Sequence, residues 1–196
     1  LDGRPIQEYD PVDLRREINQ HPLISRFFRC ATPAEMIPAE YRKSGFTDYG
    51  LPGWSLAKTI QALDTDEFFL DPTRITLLCG NAGYDGTQFK ALLASEYDIQ
   101  INKTSRNSVL VQININNTRG DLAFLIKALA DMARAIDKRL AEGGEAERAA
   151  FKARVKALVE EGQKMVAVPE ANPLFEISWA TWSVMSWMSA SPRVLR

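Results

Sequence analysis

Apolar and polar positions alternate in a regular way between residues 71 and 141. Arg74-Ile75-Thr76-Leu77-Leu78-Cys79 is a short apolar run set between Asp71-Pro72 and Gly80-Asn81-Ala82-Gly83, which predicts a strand. From Thr87 to Tyr97, the residues Phe89, Leu92, Leu93 and Tyr97 recur at helical spacing. Ile99 and Ile101 alternate with Gln100 and Asn102, predicting a half-buried strand. Val109, Val111, Ile113 and Ile115 alternate with Leu110, Gln112, Asn114 and Asn116, a second and longer strand. Leu122, Leu125, Ile126, Leu129, Met132, Ala133, Ile136 and Leu140 then line one face of a long amphipathic helix, with Thr118 and Asp121 as candidate caps. The order is β-α-β-β-α. It predicts an α/β (α+β) layer with helices on one face of a sheet.

The flanks have a different texture. Residues 1–69 are punctuated by Pro5, Pro11, Pro22, Pro33, Pro38 and Pro52, which limit every element to short helices. Asp10-Pro11 reads as an N-cap with proline at the first helical position, and the helix runs through Leu14 and Ile18. Thr32-Pro33-Ala34-Glu35 has the spacing of a capping box. Tyr49 to Trp54 is a turn-rich loop. We expect this segment to be linker-like and to wrap a surface. In residues 142–196, Gly143-Gly144 breaks the chain, and a charged helix runs from Glu145 to Lys164 with Phe151, Val155, Leu158 and Val159 on one side. Phe175, Trp179, Trp182 and Met185 form an apolar stripe at helical spacing in the tail, which we expect to pack on the small domain or on a further domain. The expected division is therefore 1–69, 70–141 and 142–196.

Charge and composition narrow the chemistry. The 24 Lys and Arg against 25 Asp and Glu leave a net charge of -1, with no basic excess to drive nucleic-acid binding. Cys30 and Cys79 belong to no Cys-x-x-Cys pair and read as buried free thiols. His21 is the one histidine. It lies in Asn-Gln-His-Pro with no Gly-x-Ser-x-Gly elsewhere, so a serine triad or a histidine-based metal site is not expected. Gly80 to Gly86 carries three glycines but lacks the Gly-Lys-Ser/Thr of a P-loop, and reads as a turn that positions the next helix. The stretch Asn114 to Asn117 reads as a strand end and a helix cap. No stretch has the length and hydropathy of a membrane span. Leu1-Asp2-Gly3-Arg4 shows neither a signal core nor an initiator methionine, so we expect a cytoplasmic chain and a processed or excised piece.

Three stretches carry a resemblance: Leu70-Asp71-Pro72-Thr73-Arg74-Ile75-Thr76-Leu77-Leu78, then Asp85-Gly86-Thr87, then Tyr97-Asp98-Ile99-Gln100-Ile101-Asn102-Lys103-Thr104. Together they resemble the bacterial ornithine/lysine/arginine decarboxylases, pyridoxal-phosphate enzymes of the aspartate-aminotransferase fold. The likeness covers about residues 70–140 and continues more weakly through 171–190. It implies that the layer is the C-terminal small domain of such an enzyme, a homodimer in which this region packs on the cofactor domain and shapes the substrate entrance. It places Asn102, Lys103 and Thr104 near the substrate. The family's cofactor lysine lies in Ser-x-His-Lys, which this chain lacks, since His21 is followed by Pro22. The resemblance therefore implies pyridoxal phosphate in a parent enzyme, with neither cofactor-binding nor catalytic residues in this chain. Asn102 stands where the family has the glutamate of Glu-Lys-Thr, and a neutral amide favours a cationic substrate less than a carboxylate does. The same β-α-β-β-α order also begins ferredoxin-like ligand-binding and regulatory modules, which perform no catalysis.

Overall fold

The computed structural model describes residues 11–49, 55–114 and 116–166. Among them are six helices and one four-stranded sheet, a mixed architecture of helix and strand. In chain order these are α1 (Pro11–Gln20), β1 (Arg29–Cys30), α2 (Pro33–Met36), α3 (Leu56–Thr65), β2 (Arg74–Leu78), α4 (Gly86–Tyr97), β3 (Lys103–Thr104), β4 (Ser108–Gln112), α5 (Arg119–Glu142) and α6 (Glu145–Val166). The chain divides into two units, residues 1–162 and 163–196, and the sheet with its core lies wholly in the first. The expected stripe from Phe175 to Met185, the Asp10 cap, Ile115 and most of the loop from Tyr49 to Trp54 lie outside the described residues.

The sheet order is β1-β2-β4-β3 and every neighbouring pair is antiparallel. Because β2 and β3 both oppose β4, they run parallel to each other. α4 is the crossover between them, and β4 is threaded into the gap. Register sets the faces. Leu77 lies opposite both Cys30 and Val109, and Ile75 opposite Val111, so these side chains share one face. That face meets Leu14 and Ile18 of α1, Phe89 and Leu93 of α4, and Leu122 to Ile136 of α5 in a single core. Phe28 stacks on Phe89 with ring centroids 5.3 Å apart. Burying each such aliphatic or aromatic side chain is worth about 1.5–3 kcal/mol.

Helix starts follow the expected grammar. Thr32 and Glu35 form a reciprocal capping box at α2, and Thr118 and Asp121 form another at α5, so both candidate caps of the long helix act together. A hydrogen bond from Arg29 holds the Glu35 carboxyl down to about 2. At the far end of β4, Asn114 and Asn117 close a turn through their own side chains, ending the strand where the asparagines begin.

Two expectations are corrected. Residues 14–30 are not a surface wrap: Leu14, Ile18, Ile24, Phe27, Phe28 and Cys30 are core, and β1 is the edge strand beside β2, whereas residues 34–48 do lie at the surface. The outer edge of β1 is closed by Asn19, whose side-chain amide exchanges hydrogen bonds with the N–H and carbonyl of Cys30 at 2.7 and 3.2 Å, as a neighbouring strand would. Arg15 is 3% exposed. It donates to the Ala31 carbonyl, lies 3.6 Å from Asp48 and stacks 5.2 Å from the Tyr49 ring centroid, which ties residues 48–49 to the sheet. The second correction concerns Ile99 to Asn102, expected as a strand. Asp98 takes a left-handed conformation at the end of α4, and the N–H groups of Asp98 and Ile99 both return to the Leu93 carbonyl. Ile99 is thus committed to the helix end, and ladder pairing begins only at Lys103.

Candidate functional site

Each of the three stretches that carry the resemblance reaches the hairpin between β3 and β4 at one end, through Leu78, Gly86 and Lys103-Thr104. β3 pairs Lys103 with Leu110 and Thr104 with Val109, and the Ser105 N–H donates to the Ser108 carbonyl at 2.8 Å across the turn. This turn is gripped from two sides. The N–H groups of Cys79 and Gly80, at the end of β2, donate to the Asn107 carbonyl at 2.9 and 3.2 Å. The N–H of Gly86, the first residue of α4, donates to the Arg106 carbonyl at 3.0 Å. Gly86 is required for the approach, because a Cβ there would run into the carbonyl oxygens of Ser105 and Ser108. Asp85 caps α4 through the Gln88 N–H at 2.8 Å and so fixes the helix start against the turn.

The expected positioning role of Gly80 to Gly86 follows from this geometry. Gly80–Ala82 is a 3-10 turn ended by Gly83 in the left-handed region, with φ of 77°. The turn also seats α6. The Phe151 ring lies 3.1 Å from where a Cβ on Gly83 would be, and Arg154 donates from Nε to the Gly83 carbonyl and from Nη2 to Gln88 Oε1.

Asn102, Lys103 and Thr104 lie together on the β3 side of the sheet. Asn102 is exposed, while Lys103 and Thr104 are half-buried. Lys103 shares the sheet face of Leu110, Thr76 and Arg74, away from the core, and Thr104 points to the core face with Val109. Desolvation, with the nearby Arg74 charge, lowers the Lys103 ammonium below its usual value. Sequence reasoning missed the clamp on the Ser105–Ser108 turn. The only signals in the chain are Gly80 and Gly86, and their use depends on a contact about twenty residues away.

Other chemistry is sparse. No group of three or more metal-ligating side chains occurs among the described residues. His21 accepts the Leu23 and Ile24 N–H groups on Nδ1 at 3.2 Å each, a structural use at the start of the 3-10 turn Ile24–Arg26. Cys30 and Cys79 are buried and free, and burial pushes both thiols up to about 12, so neither is a ready nucleophile. Pyridoxal phosphate does not fit these residues. The lysine nearest the resemblance, Lys103, sits on a sheet edge next to another cation, and no Ser-x-His-Lys occurs. Among the described residues no helix is long and apolar enough to cross a membrane. No protein-family model, curated protein or solved structure matches the chain.

Proposed function

We propose that this chain is the C-terminal region of a cytoplasmic, pyridoxal-phosphate-dependent amino-acid decarboxylase. Its role is to pack on the cofactor domain of the same protein, to shape the substrate entrance and to contribute to a homodimer. One observation supports the reading: each stretch that carries the resemblance sends one end to the hairpin of β3 and β4, with Leu78 opposite Ser108, the Gly86 N–H on the Arg106 carbonyl and Thr104 opposite Val109. A small layer with helices on one sheet face and Lys103 on the other suits a lid over a site built elsewhere. The cofactor and the bond-breaking groups belong to the rest of such an enzyme. Asn102 would present a neutral amide at the entrance, which does not reward a cationic substrate.

A second reading, a ligand-binding or regulatory module, draws on the continuity of the core from Leu14 to Ile136 among the described residues. One experiment separates the two. The coding sequence upstream of Leu1 is read, and the whole product is purified with pyridoxal phosphate and assayed for carbon dioxide release from lysine, ornithine, arginine and neutral amino acids. The decarboxylase reading expects a Ser-x-His-Lys motif within a few hundred residues and release from at least one amino acid. A start codon close to Leu1, or a full-length protein that releases none, would overturn the decarboxylase reading and favour the module.

A further inference from the structure

Among the described residues the exposed large apolar side chains are Ile60, Leu63 and Phe124. Phe124 stands alone on α5. Ile60 and Leu63 lie three apart on α3 and are 51% and 55% exposed, so they form one patch. Asp64, in the last turn of the helix, and Glu67, just beyond it, are exposed beside them. α3 therefore presents an apolar step with an acidic end.

The opposite combination occurs on α6. A groove of about 420 Å³ runs along it, with Phe27, Phe151, Val155 and Val159 as its apolar floor and Lys152 and Lys156 on its lip. The spacing of Phe151, Val155 and Val159 is that of an i±4 ridge, with Lys152 and Lys156 on the adjacent ridge. From Phe151 to Val159 the floor is about 12 Å long, enough to take the ~6 Å that Ile60 to Asp64 spans on α3 at helical rise. The lip holds one acid, Glu160, 3.8 Å from Lys156, and Arg26 on the far wall is tied to Asp137 at 2.7 Å. Lys152 and Lys156 thus give the lip a net positive charge. The groove is open, and no polar groups converge in it as they would for a small ligand.

We propose that two copies of this chain associate by seating α3 of one in the α6 groove of the other. Ile60 and Leu63 cover the floor at Val155 and Val159, and Asp64 and Glu67 face Lys152 and Lys156. One chain carries both halves of the contact, so no other partner is needed to satisfy either surface. The pairing rests on neither functional reading.

The test is charge exchange in the full chain, followed by sedimentation. One variant carries Lys152→Glu with Lys156→Glu, and a second carries Asp64→Lys with Glu67→Lys. All four positions are exposed, so circular dichroism should match the wild type. Wild-type chain is expected to associate below ~100 µM. Each variant alone should bind itself at least about tenfold more weakly, and an equimolar mixture should recover the association, because each supplies the complement of the other. Leu63→Ser should weaken association without any change of charge. A monomeric wild type at that concentration would overturn the proposal. So would variants that associate as well as wild type, or a mixture that fails to recover.

Discussion

α5 and α6 are consecutive helices of 24 and 22 residues, both with an apolar stripe and a charged outer face, yet they are held in different ways. α5 buries eight residues, and Ala128, Leu129 and Ala133 are completely shielded. α6 buries none between Glu145 and Glu160; Phe151, Val155, Leu158 and Val159 are only half covered. α5 starts from a capping box and shares the core with Ile75, Leu77 and Val109 of the sheet. α6 rests on the turn Gly80–Gly83 and is rich in alanine, which forms helix at little cost in side-chain entropy. An apolar stripe of similar spacing therefore marks the core in one helix and a lightly seated cover in the other. Periodicity tells which face turns inward, and the depth depends on what the fold sets beneath it.

The largest expected effect tests this contrast directly. Leu129→Ala should lower the unfolding free energy by about 2–5 kcal/mol, and Val155→Ala by less than about 1 kcal/mol, in denaturant titrations under the same conditions. Equal losses would mean that α6 is core as well. Next comes the seat of α6. Gly83 has φ of 77°, so Gly83→Ala adds backbone strain of about 1–2 kcal/mol and pushes a methyl against Phe151. Hydrogen exchange sharpens the same point. The amides of α6 from Phe151 to Val159 should exchange well before those of α5 from Leu125 to Ala133, and Gly83→Ala should widen the gap. Matching exchange rates in the two helices would remove the distinction.

The elements that were legible in the sequence are those fixed by local chemistry. The stripe of α5, the strand at Arg74, the helix through Phe89 and Leu93, the box at Thr32 and the candidate caps Thr118 and Asp121 all depend on neighbours within a few positions. What escaped depends on distant ones. β1 has two residues, too few for any alternation, and exists because Arg29 and Cys30 pair with Leu78 and Leu77. α3 was not expected after the turn-rich loop, although Ser55 caps it through the Lys58 N–H at 3.3 Å, a signal the prolines obscured. Ile99 to Asn102 alternates as a strand should, but the left-handed cap at Asp98 uses its first donor. For the candidate site, Asn102, Lys103 and Thr104 came from resemblance, and only the fold shows the turn beside them held by Gly86.

The smallest expected effect concerns the charged outer faces. On α5, Asp131 accepts Lys127 Nζ at 2.5 Å and Arg134 Nη1 at 2.6 Å. The hydrogen bond from Lys127, aided by both charges, holds its carboxyl below the usual carboxylate range. On α6 the corresponding pair, Lys156 and Glu160, is looser at 3.8 Å. A carboxylate whose folded pKa is depressed contributes stability above its unfolded value, about 3.9 for aspartate, and loses that contribution as pH falls through the folded one. Asp131→Asn should therefore be slightly less stable than wild type at neutral pH and low salt. The difference should shrink as pH falls through the depressed folded value, where Asp131 itself takes up a proton, and it should also fade in ~1 M salt. Glu160→Gln should change stability less than Asp131→Asn at every pH. Melting curves of the three proteins across that range decide the matter. A deficit in Asp131→Asn that persists in acid would mean that its side chain matters through shape or hydrogen bonding, and the outer face of α5 would then contribute more than charge pairing at its surface.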